Sequence, residues 1–194
     1  RFVCRFAAWG LGRAKAAGTV GDLEKALGDR DANHDFRPHR ASEAAEAILA
    51  IAPKGPAADQ AVRFFLSDRM LTDHRIDSEG TRTAAARALG RSGPAARAAL
   101  PELVKTLADK VPATRVAAAE AVLLVGGDAG QNRLALGVLE AELKSGELAT
   151  RVQALRACAA ARATTLLPQV ERLAADPDLK NEAVAAAAVL STLK

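Results

Sequence analysis

An alanine-rich octapeptide returns six times along this chain, and that recurrence leaves few folds open. CRFAAWGL begins at Cys4, ASEAAEAI at Ala41, RTAAARAL at Arg82, RVAAAEAV at Arg115, RVQALRAC at Arg151 and EAVAAAAV at Glu182. The starts are separated by 37, 41, 33, 36 and 31 residues. A loose period between roughly 20 and 50 residues marks chains built from similar units, each packing on its neighbours.

The units are helical. Hydrophobic residues make up 49% of the chain, but aromatics only 3%, and tyrosine is absent. Alanine is the best helix former, whereas sheets favour branched and aromatic side chains. An all-α fold is therefore expected. A second, leucine-rich segment alternates with the first: LPELVKTLAD at Leu100, LGVLEAELKS at Leu136 and LPQVERLAAD at Leu167. Leu100 and Leu167 are 67 residues apart, as are Arg115 and Glu182, so the two helix types recur in step.

The leucines at helical spacing supply a core face, and the alanines let adjacent layers approach. Pro101 and Pro168 fall early in their helices, where a missing N–H costs little. Gly90, Gly93, Gly126 and Gly127 are expected to end the alanine-rich helices in left-handed conformations. GGDAG at Gly126 reads as a turn between helices, with no strand before it to form a phosphate cradle.

L-P-x-L early in a first helix, an aspartate at its end, then V-R-x-A-A-x-A-L in a second resembles the HEAT-like repeat. The bacterial variety related to phycobilisome-lyase repeats is closest in spacing. The resemblance covers residues 1–194 as a single solenoid, strongest from Arg82 to Glu182, with irregular insertions near 29–40 and 67–80. It implies a right-handed α-α superhelix of about five to six antiparallel helix pairs, usually one that holds other macromolecules. It also implies a structural arginine ladder, Arg82, Arg115 and Arg151, each paired with an acidic residue or free carbonyls in the turn between its helices. Asp77, Asp109 and Glu147 are placed to serve them in that order.

Five residues beyond each octapeptide start, the row reads Trp9, Glu46, Arg87, Glu120, Arg156 and Ala187. Its signs alternate. A protein that tracks a phosphate backbone gains affinity from clustered cations, and 27 basic against 23 acidic residues is only a mild excess. Nucleic-acid binding through groove arginines, or a lyase- or glycosylase-like activity, is the weaker alternative. Glu46, Arg87, Glu120 and Arg156, with Phe2, Phe6 and Trp9 on the first helix, form the candidate interaction surface.

No catalytic, cofactor or metal site is expected. There is no Walker loop, no G-x-S-x-G and no C-x-x-C-H. His34, His39 and His74 lie in the two insertions without ligand spacing. Cys4 and Cys158 are too few and too distant for a disulfide framework, and read as buried thiols.

No apolar run approaches the roughly 20 residues of a membrane span. Arg1 opens the sequence without methionine or signal-peptide pattern, so a fragment of a longer chain is expected and the compartment is not legible. The expected partner is another protein or an upstream domain of the same chain. Phe2, Phe6 and Trp9, at i, i+4 and i+7, are expected to allow self-association if uncovered.

Overall fold

A computed structural model describes residues 17–28, 38–67, 70–71 and 79–192. Within them the chain is all helical, without strands. The α-helices are α1 (Val20–Gly28), α2 (Pro38–Ile51), α3 (Pro56–Phe65), α4 (Glu79–Arg91), α5 (Leu100–Thr106), α6 (Pro112–Val125), α7 (Ala129–Glu142), α8 (Leu148–Ala160), α9 (Leu167–Leu173) and α10 (Lys180–Ser191). No helix among the described residues is long and apolar enough to cross a membrane.

Five of the six octapeptides fall on α2, α4, α6, α8 and α10. Each of these packs on the next even-numbered helix, and the odd-numbered helices pack beside them, as α5 and α7 do against α6. The core follows the sequence pattern. Leu100, Leu103, Leu139, Leu143, Leu167 and Val170 are buried, and so are Ala85, Ala88, Ala118, Ala121, Ala154 and Ala157.

The two leucine-proline helices begin alike. A 3-10 segment, Gly93–Ala99, runs straight into α5, and another, Thr164–Leu166, into α9. Leu100 has φ −51° and ψ −44°, and Leu167 has φ −49° and ψ −47°. Pro101 and Pro168 follow immediately, inside the first two helical positions, where no N–H partner is required.

The glycines divide by role. Gly126 ends α6 at φ +88°, and Asp128 then opens α7 with a capping box to Gln131. Gly90 does not end its helix. It lies within α4, where a Cβ would sit 3.0 Å from the Cα of Ala121 on α6. Its smallness sets how closely two layers approach.

The last octapeptide is out of phase with the others. In α4, α6 and α8 the residues three and six beyond the arginine are buried alanines. Counted from Glu182, the same positions are Ala185 and Ala188, both exposed. Ala183, Ala186 and Leu190 are buried instead. The burial phase thus places Lys180, not Glu182, at the position of the arginines. The same phase puts Ala185, not Ala187, in line with Arg87, Glu120 and Arg156.

Candidate functional site

The arginines lie in the first turns of their helices, and helical side chains lean toward the helix N-terminus. Each therefore reaches the level of the inter-helix turns. Arg82 donates through Nε and Nη2 to both carboxylate oxygens of Asp109, at 2.8 and 3.1 Å. Arg115 binds Glu142, Nε to Oε1 at 2.7 Å, and donates through Nη1 to the carbonyls of Asp109 (2.9 Å) and Lys110 (3.2 Å). Arg151 donates through Nη1 to Asp176 at 2.8 Å.

Two of the expected carboxylate partners, Asp109 for Arg115 and Glu147 for Arg151, need correcting. Each side-chain pairing runs to the following layer, at separations of 27, 27 and 25 residues. The Asp109 carboxylate expected for Arg115 holds Arg82, while Arg115 takes main-chain carbonyls from that turn. The Glu147 carboxylate accepts the Thr150 hydroxyl at 2.9 Å, away from Arg151. Asp77 lies outside the described residues.

The turn chemistry explains the difference. Asp109 Oδ1 accepts the Val111 N–H at 2.8 Å, and Asp176 Oδ1 accepts that of Asp178 at 3.0 Å. Such an Asx turn fixes the carboxylate against its own backbone. Ser145 takes this place in the middle layer, accepting the Glu147 N–H at 3.2 Å. A hydroxyl has no charge for Arg115, and the partner comes from Glu142, at the end of α7.

The second arrangement is the charged row, with Arg87 and Arg156 exposed and Glu46 and Glu120 half-buried. Glu46, Arg87, Glu120 and Arg156 lie on α2, α4, α6 and α8, helices that pack in that order. Arg91 pairs with Glu46 at 2.8 Å and Arg156 with Glu182 at 3.6 Å. Burial pushes the Glu120 carboxyl up, and the opposing charges of Arg87 and then Arg91 reduce but do not cancel the shift. The row is a band of alternating charge, partly neutralised by Arg91 and Glu182 beside it. Arg91, Thr83 and Thr114 were not singled out by sequence reasoning. The buried hydroxyls of Thr83 and Thr114 meet at 2.8 Å between α4 and α6.

Phe2, Phe6 and Trp9 lie outside the described residues, as do His34 and His74. His39 falls in the first turn of α2. Cys158 is buried in α8. No group of three or more His, Cys, Asp or Glu among the described residues is placed to hold a metal ion.

No family model matches the sequence, and neither does any curated protein. Among solved structures, the crystal structure of an engineered protein from the Northeast Structural Genomics Consortium is similar in fold. It has a TM-score of 0.51 and 20% sequence identity, over 97% of this chain and 90% of that one.

Proposed function

We propose that this chain is a non-catalytic interaction or scaffold module of the HEAT-like type, an accessory part of a larger protein. In this reading its helix pairs are antiparallel, the pairs wind into a right-handed superhelix, and the partner is a protein surface bearing both signs of charge. The observation that carries the proposal is the row Glu46, Arg87, Glu120, Arg156, which crosses four stacked helices. Alternating charge suits recognition of a mixed polar surface and its orientation. It does not suit a phosphate backbone, which rewards cations alone. The ladder arginines are taken up by interlayer carboxylates, which supports a structural role for them.

The test compares the chain with an R87E/R156E variant, both substitutions being at exposed positions. A protein partner captured from the source cell is expected to be retained at least tenfold less by the variant. Equal retention overturns the proposal. So does generic duplex binding tighter than about 10⁻⁶ M at physiological salt, since scattered cations support only about 10⁻⁴–10⁻⁶ M.

A further inference from the structure

Helix α10 has an outer face that the other described residues leave uncovered. Asn181, Val184, Ala185, Ala188, Val189 and Thr192 are all exposed, Val184 by 52% and Val189 by 45%. They fall at i, i+3, i+4, i+7, i+8 and i+11, a continuous stripe opposite the buried Ala183, Ala186 and Leu190. The stripe is apolar at its centre and polar at both ends.

In the inner layers the part of this surface around Val184 and Ala188 is an interface, while Ala185 aligns with Arg87, Glu120 and Arg156 of the charged row. Aligned by burial, Val184 corresponds to Ala86, Ala119 and Leu155, all fully buried. Ala188 corresponds to Gly90, which lies against Ala121 of the following layer. The layer-to-layer contact therefore continues onto α10 in chemistry, and a helix with small apolar residues is what fits it.

The order of residues says which helix. The stripe reads the same from either end: valines at 184 and 189, alanines at 185 and 188, small polar residues at 181 and 192. Such a sequence is complementary to itself in antiparallel orientation, as a two-fold contact requires, with residue i meeting j and j meeting i. The corresponding stripes of the inner helices lack this symmetry, carrying Ala86 and Arg91, Ala119 and Leu124, and Leu155 and Ala160 at the places of the two valines. Charge agrees. The last turn of α10 carries no basic residue, and Lys180 at the opposite end is exposed. Antiparallel pairing brings each Lys180 to the negative end of the other helix.

We propose that the outer face of α10 is a self-association surface, occupied by α10 of a second copy of this chain packed antiparallel across a two-fold axis. Val184 of each copy meets Val189 of the other, and the two alanine pairs let the backbones approach. A contact centred on one helix of 12 residues is smaller than the roughly 800 Å² per partner of a standard stable interface. The dimer is accordingly weak and concentration-dependent.

Sedimentation equilibrium over a wide concentration range tests this with the chain, with V184E and with V189K, far-UV circular dichroism confirming equal helicity. The chain is expected to dimerise, and each variant alone to weaken the dimer at least tenfold. An equimolar mixture of V184E and V189K should recover most of the association, because the pairing sets the new carboxylate against the new ammonium while the other valine pair stays intact. A monomer at every concentration overturns the proposal, as does association that V184E leaves unchanged or that F6E alone abolishes. If both variants weaken the dimer but their mixture recovers nothing, the antiparallel register is overturned.

Discussion

Arg82 on α4 is bonded through two nitrogens to both carboxylate oxygens of Asp109, a residue of the turn that leads into α6. The pair is almost fully buried, at 0% and 3% side-chain exposure. A buried cation in one layer thus takes a two-oxygen partner from the next layer. Layer order and charge pairing become a single condition.

Replacing Asp109 takes both carboxylate oxygens away from a buried guanidinium. D109A is expected to lower stability by about 3–5 kcal/mol, the range for breaking a buried ion pair. Urea unfolding measures this directly. A loss below about 1 kcal/mol would mean that Arg82 finds another partner at no cost.

R115A is expected to cost about 1.5–3 kcal/mol, since it removes charged hydrogen bonds at a half-buried site. Partner affinity should persist at temperatures where the variant stays folded. Intact stability with lost binding would move Arg115 from the frame of the molecule to its interaction surface.

Two glycines in helices should respond oppositely to alanine. Alanine is favoured over glycine in a helix by about 0.8–1.0 kcal/mol. At Gly137, where a Cβ meets nothing within 4 Å, G137A should raise the melting temperature. At Gly90 the new methyl would press on the backbone of α6, and G90A should lower it. Two increases would show that the α4–α6 spacing yields easily.

Glu120 gives a pH signature. Its carboxyl is raised above the ordinary 4.5, chiefly by burial. Its contribution to stability is therefore fully present below the unfolded-state value and is lost as pH rises through the folded one. E120Q should be more stable than the parent at pH 7, and the difference should close as pH falls below 4.5. Thermal unfolding of both proteins between pH 3 and 8 (about 1 pH step apart) would show it. A variant less stable at pH 7 contradicts the expectation.

Cys158 should resist thiol reagents in the folded chain. Burial pushes its pKa up to about 12, leaving about one thiolate in ten thousand at pH 8. Labelling at that position should follow global unfolding in urea. Fast labelling of the native protein would show that α8 opens locally.

The helices were legible because alanine and leucine repeat with a period that no strand shares, and the alternation of helix types fixed their order. The interlayer pairing was harder to see, since each arginine has a nearer acidic residue in sequence than the one it binds. The separations of 27, 27 and 25 residues carried that signal. The phase of α10 was hidden differently. In a run such as AVAAAAV, many registers place an alanine at every required position, and only the buried Leu179 and Leu190 distinguish them.

The three interlayer ion pairs are not equally sealed from water. Side-chain exposures are 0% and 3% for Arg82 and Asp109, 26% and 9% for Arg115 and Glu142, and 22% and 29% for Arg151 and Asp176. When α8 and α10 part, water already stands beside both charges and hydrates them at once. When α4 and α6 part, a guanidinium and a carboxylate must first lose each other in apolar surroundings. These three joints therefore open in sequence rather than at random: slow hydrogen exchange concentrates at the α4–α6 joint, and of the three the α8–α10 joint is the first to breathe.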